Sequence, residues 1–158
     1  MVIGVLQIGG RMDTMYSPTE FSSFPWMEFA FREFGQREIR GSRENPRIQK
    51  YYTMVSVKNP HDDTTAWCSA FANWCMKSAG IRGTGQANAR SWLTWSNNSL
   101  AAPVYGAVAV FWRNQPNGWQ GHVGFYVGEN GQNLMILGGN QGVGEVSVKP
   151  YPRSRLLG

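Results

Sequence analysis

The sequence predicts an α+β domain with its helices first and an antiparallel meander after them. Length is one reason: 158 residues fit a single domain of roughly 100–200 residues, which buries a core without disulfide staples. Composition is another. Apolar residues make up 42% and charged residues 16%, against roughly 25% charged in an average soluble protein. The third is a change of period. Apolar residues recur at helical spacing up to Pro103 and Gly106, and in extended runs from Ala107 onward.

The elements follow in order. Ser17-Pro18-Thr19-Glu20 reads as a capping box with Pro in the first turn. Ser23-Phe24-Pro25 starts a second helix, Trp26 to Phe34, which Gly35 stops. Gln36 to Arg47 is polar and holds Arg37, Arg40, Arg43 and Arg47, a solvated face interleaved by Glu38 and Glu44. Asn45-Pro46 opens a helix with Ile48, Tyr51 and Tyr52 on one side, and Asn59-Pro60 breaks that segment. Asp62-Asp63-Thr64-Thr65 is a strong N-terminal signal for a helix from Ala66 to Ala79, ended by Gly80. A short helix is expected over Asn88 to Trp95. Ala107 to Trp112 is a continuous apolar run, as in a buried strand, and His122 to Val127 alternates. Asn130-Gly131 is a hairpin signal, Leu134 to Leu137 the return strand, and Val146 and Val148 mark one more. The whole chain, 1–158, reads as one catalytic domain, with 1–16 as a loosely attached segment.

Charge and cysteine content narrow the function. The formal net charge is +5, which favours anionic partners: nucleic acid, a membrane surface or an anionic cell wall. No nucleic-acid-binding motif is present, and no apolar run approaches the roughly 20 residues that span a bilayer. Met1 to Ile8 holds a few aliphatics but no basic n-region and no long h-region, so no signal peptide is expected. Between Thr64 and Gly128 there is no Asp or Glu, so the mid-chain holds no carboxylate pair. Cys68 and Cys75 lie seven apart, about 10.5 Å of helical rise and beyond a disulfide's usual reach of roughly 4.4–6.8 Å. Cys68 and Cys75, seven apart, and His61 and His122, at far separated positions, do not make a four-ligand Cys/His zinc site of ordinary spacing, and no metal or cofactor is expected.

Cys68 falls in the first turn of its helix, where the helix dipole favours a thiolate. Cys75, between Trp74 and Met76, reads as a small core residue. A thiol nucleophile needs a base, most often His, and His122 opens a strand just after Gly118-Trp119-Gln120-Gly121. Hairpin register supplies a third member. A three-residue loop at 130–132 sets His122 opposite Asn140, and a loop at 129–131 sets the two diagonally on one face. An even-length loop separates them unless Gly138-Gly139 forms a bulge. Asn140 is thus the expected orienter of the imidazole, with Gln141 and then Glu129 as fallbacks.

Three segments carry a resemblance: Trp67-Cys68-Ser69-Ala70-Phe71, Gly121-His122-Val123-Gly124, and Gly138-Gly139-Asn140-Gln141. They resemble the CHAP family of cell-wall amidases and peptidases and, more widely, the NlpC-type papain-like superfamily. Trp26, Glu33, Gly35, Asn45-Pro46, Tyr51 and Arg155 to Gly158 also fit a small bacterial and phage subfamily. Where CHAP enzymes often carry a Glu two residues before the Asn, this chain has Gly138.

The resemblance implies a papain-like fold, a Cys-bearing helix packed on an antiparallel sheet that carries the His. It implies a peptidoglycan amide hydrolase with Cys68 as nucleophile, His122 as base and Asn140 as the third polar residue. Asp63, Ser69, Trp119 and Gln141 are the expected substrate-binding residues. The expected partner is peptidoglycan, for a monomeric enzyme made in the cytoplasm and acting in the periplasm or cell wall. An antibacterial effector delivered by a contact-dependent (type VI) system, with a cognate immunity protein, and a phage lysin both fit. The alternatives are a papain-like acyltransferase or deamidase acting on proteins, a nucleic-acid-binding module, and a metallopeptidase using His61, Asp63 and His122.

Overall fold

The computed structural model describes residues 24–39, 44–56, 66–96 and 99–158. The expected capping box at 17–20, the helix-start signal at 62–65, the break at 59–60 and the 1–16 segment lie outside them, as do Arg40, Arg43, His61 and Asp63. The described chain is α+β, with helices followed by a four-stranded antiparallel sheet in the order β1-β2-β3-β4.

α1 spans Pro25–Arg32, two residues short of the expected end. The chain leaves the helix at Glu33 and turns through Gly35, whose φ of 86° suits glycine. The early exit turns the Glu33 carboxylate inward. Burial works against its charge, but Arg47 and Tyr51 donate hydrogen bonds to it, and the net effect holds the carboxyl below its usual range. α2, Pro46–Tyr52, starts where expected, because Asn45 accepts from the Arg47 N–H at 2.8 Å and Pro46 occupies the first turn. Ile48, Tyr51 and Tyr52 are buried, so the Glu33 ion pair locks α1 to α2 above α3.

α3 spans Cys68–Ser78 and is buried on nearly every side. Such a helix is a core helix. It ends in a Schellman turn: Gly80 N–H bonds the Lys77 carbonyl, Ile81 N–H bonds Met76, and Gly80 has φ 76°. Asn73, polar and buried, accepts from the Gly85 N–H at 2.8 Å, and so pins the segment after the helix across it. A 3-10 helix, Ala89–Thr94, follows within the expected Asn88–Trp95 span.

The sheet comprises β1 (Val108–Trp112), β2 (Gly121–Asn130), β3 (Asn133–Gln141) and β4 (Glu145–Pro152). β2 is buried on both faces from His122 to Tyr126, rather than alternating. α3 covers Val110, Val123, Phe125 and Leu137 on one face. Ala109, Phe111, Tyr126, Leu134 and Ile136 form a second cluster on the other, closed by Tyr151 and Leu156. Neither sheet edge is left bare. Leu157 and Gly158 pair with Val110 at one edge, and Gly35 and Gln36 pair with Val146 at the other.

The β2–β3 register decides where the site residues fall. The turn is two residues long, Asn130 facing Asn133, with Gly131 at φ 60° in the first central position, as a type II′ hairpin requires. A bulge between Tyr126 and Gly128 then shifts the register, so that Phe125 faces Leu137. Regular pairing continued from there would set His122 opposite Asn140, as a three-residue loop would have done. The ladder stops at that pair instead, and β3 bulges between Gly138 and Gln141 with Asn140 at φ 56°.

Candidate active site

Cys68 is the first residue of α3 and its side chain meets β2 where the β2–β3 ladder has opened. Val110 sends its N–H and carbonyl outward to Gly158 and Leu157. Its cross-strand partner Val123 therefore turns its own N–H toward β3. With β3 bulged away there, that N–H lies near enough to the Cys68 sulfur to pull the thiol's pKa down. Close approach of α3 to the sheet depends on Gly139. A Cβ there would lie 2.7 Å from Trp67 Cε3 and 2.8 Å from the Phe71 Cβ. The Trp67 indole N–H is held by Glu38 Oε1 at 2.9 Å.

His122 projects from β2 onto the face opposite Val123, paired with Phe111. Its ring stacks on Tyr151, centroids 4.8 Å apart and planes 6° from parallel, and Tyr151 in turn packs on Phe111 at 4.9 Å. Gly138 leaves the room this needs, since a Cβ there would stand 3.2 Å from His122 Nε2 and 3.5 Å from the Gln141 amide carbon. Gln141 is the polar residue beside the imidazole. Its Nε2 donates to the Gly138 carbonyl at 3.0 Å, to Ile136 at 3.2 Å and to Ser147. That fixes the amide and leaves Oε1 for the ring. Among the described residues, neither that oxygen nor either imidazole nitrogen completes a hydrogen bond.

Asn140, the expected orienter, is turned elsewhere. Its positive φ swings the side chain away from His122, and its amide donates to Glu38 Oε1 at 3.0 Å. Glu38 thus ties the start of α3, through Trp67, to the β3 bulge, through Asn140. Glu129, the other fallback, pairs with Arg153 near the hairpin end of the sheet. Ser69, expected at the substrate, is fully buried. Its hydroxyl donates to the Gln86 carbonyl at 2.7 Å and accepts from the Trp92 indole at 2.9 Å.

Burial dominates the electrostatics. Cys68 is 2% exposed and His122 1%. Enclosure raises the Cys68 thiol above its usual range, although the Val123 N–H, Arg113 and the N–H groups of Ser69 and Cys68 itself pull it down. The thiolate favoured by the helix dipole in the sequence reading is therefore outweighed by desolvation. His122 is lowered from 6.5 to about 3 by burial, then by Arg113, against the opposing effect of Gln141. Thiol and imidazole are both uncharged at neutral pH. Cys75 is sealed in the core, and burial pushes its thiol well up, so it is inert.

Sequence reasoning missed Tyr151, Glu38 and the Val123 N–H, all of which depend on register, and passed over Arg113. Arg113 follows β1 and extends its pairing by one residue, its N–H bonding the Gln120 carbonyl at 3.3 Å. The loop from there to Gln120 is clamped by Arg90, whose guanidinium donates to the carbonyls of Gln115, Pro116 and Gln120. Trp119, the expected groove residue, stands on this loop 76% exposed. Among the described residues, no group of three or more His, Cys, Asp or Glu is placed to hold a metal ion.

A family model described as "CHAP domain" matches residues 60–140, slightly more than half of the chain and the part that contains Cys68, His122 and Asn140. No curated protein and no solved structure matches the chain.

Proposed function

Since the chain belongs to the CHAP domain family, whose general activity is hydrolysis of amide bonds in peptidoglycan, we propose that Cys68 and His122 carry out that hydrolysis by a thiol mechanism. One observation supports this above the others. The only described histidine is buried on β2, and the next residue, Val123, brings its N–H near the sulfur of a cysteine in the first turn of a helix.

The neutral resting pair sets the order of events. His122 takes the Cys68 proton as the sulfur attacks the amide carbonyl, rather than before it. The sulfur–carbon bond forms, and in this reading the backbone N–H of Cys68, at the helix N-terminus, donates to the developing oxyanion. The carbon–nitrogen bond then breaks, and His122 gives its proton to the leaving amine. Water, deprotonated by His122, hydrolyses the thioester and restores the thiol. In this reading Gln141 orients the imidazole through Oε1, and Asn140 holds the bulge that aims Gln141.

We place the working site in the periplasm or cell wall, reached either by delivery of an effector that has an immunity partner or by release of a phage lysin. Acid-quenched mixtures of the enzyme with soluble peptidoglycan fragments, analysed by mass, test the mechanism. An acyl adduct on the Cys68 peptide, absent from Cys68→Ala, is the expected result. Fragments cleaved equally well by Cys68→Ala would overturn it.

A further inference from the structure

We propose that Arg113 forms an anion subsite on the face of the sheet that carries His122 and seats a substrate carboxylate next to the amide being cleaved. This rests on the reading of Cys68 as nucleophile, and it adds a substrate class: peptides with a free carboxylate close to the scissile bond.

Placement is the first support. Phe111 faces His122 across the β1–β2 pair, and the ladder runs on through Trp112–Gly121 to the Arg113–Gln120 hydrogen bond. Alternation along a strand puts Arg113 on the same face as Phe111, and so on the face of His122 and Tyr151. The Arg113 charge is felt by Cys68, His122 and Tyr151 alike.

Its lack of a partner is the second. Arg113 is exposed and makes no ion pair among the described residues, whereas Arg47 and Arg153 each hold a carboxylate. No acidic residue occurs from Thr64 to Gly128, so nothing on α3, β1, the loop or the start of β2 neutralises it. Arg90, the other cation of this loop, spends its donors on three carbonyls. Those bonds hold the loop behind Arg113 rigid, so a ligand there would meet a prepared site. A guanidinium presents a planar fork of N–H donors matched to a carboxylate.

Two alkylating agents separate this proposal from the reading it rests on. Iodoacetate and iodoacetamide both form a sulfur–carbon bond with loss of iodide, and only iodoacetate carries a carboxylate. The measurement is the ratio of their rates at Cys68, followed by mass on the Cys68 peptide. The ratio cancels any change in thiol acidity. Arg113→Ala is expected to lower it about tenfold, the size of one charge-assisted hydrogen bond. Arg113→Lys should recover part of the loss, and Lys77→Ala, which removes a charge at the far end of α3, should leave the ratio unchanged. Arg113 is exposed, and a thermal melt of each variant checks the fold. An unchanged ratio in a folded Arg113→Ala, or an equal fall in Lys77→Ala, overturns the subsite. Peptidoglycan hydrolysis is scored separately: a wild type inert on sacculi with the ratio effect intact would sink the substrate and leave the subsite standing.

Discussion

The imidazole of His122 lies flat against the ring of Tyr151, centroids 4.8 Å apart and planes 6° from parallel. One face of the ring is thereby closed to water by a residue on β4. The stack fixes the ring plane and contributes to the desolvation that keeps His122 neutral. Tyr151→Phe retains the ring and is expected to keep kcat/KM within about threefold, whereas Tyr151→Ala forfeits about 1 kcal/mol of ring–ring interaction beyond its lost burial. With water admitted, the His122 pKa should rise in Tyr151→Ala, which an NMR titration reads directly. An unmoved pKa in a folded Tyr151→Ala would contradict the shielding role.

The neutral histidine makes stability depend on pH with a definite sign. His122 falls from 6.5 to about 3 on folding, so the unfolded chain binds this proton more readily. Its contribution is intact above about 6.5, and stability drops by about 1.4 kcal/mol per pH unit below that. Glu33, whose carboxyl is also held below its usual 4.5, adds acid sensitivity only at lower pH. Between pH 6.5 and 5 the slope therefore reports His122. Denaturant melts should show it in wild type and show it flattened in His122→Gln.

Gln141 and Asn140 differ sharply in what their loss should do. Gln141→Ala removes the imidazole's polar neighbour and strips a donor from three buried carbonyls. Stability should fall by about 1–3 kcal/mol, and kcat/KM by at least tenfold. Asn140→Gly removes one hydrogen bond to Glu38 and relieves the positive φ of 56°. Glycine recovers part of that loss, so activity should stay within about threefold. Assays of both variants on soluble peptidoglycan fragments decide it, and the reverse pattern would return the orienting role to Asn140.

Gly139 is the steric gate for α3. Gly139→Ala would drive a methyl into Trp67 and the Phe71 Cβ, at a cost of about 1–3 kcal/mol typical of overpacking. It would also push the helix that carries Cys68 off the sheet. Thermal denaturation should register the first effect and the alkylation rate of Cys68 the second. Gly131→Ala, in the distant hairpin turn, provides a backbone control that should leave Cys68 reactivity alone.

Much of this architecture was legible because local signals and tertiary demands agree. Asn45-Pro46 capped a helix as such pairs do, Gly80 closed a Schellman turn, and the apolar run from Val108 to Trp112 became a strand. The Cys68 and His122 positions were readable from the helix start and the strand start. What escaped depends on strand register. The bulges at Val127 and at 138–141 have no local sequence signature beyond their glycines, yet together they decide that Gln141 faces His122 and Asn140 faces Glu38. Alternation in β2 failed because the chain's last residues and β4 cover the second face. The expected thiolate failed for a different reason: a helix terminus was weighed without the burial that a packed sheet imposes on it.

The measurement that bears most directly on the whole is digestion of purified peptidoglycan sacculi by wild type and Cys68→Ala, with the soluble products identified by mass. New fragments from wild type alone, their masses naming one amide bond, are the expected result. Sacculi left intact by a folded wild type would contradict peptidoglycan hydrolysis and point the Cys68–His122 pair toward acyl transfer or deamidation of a protein.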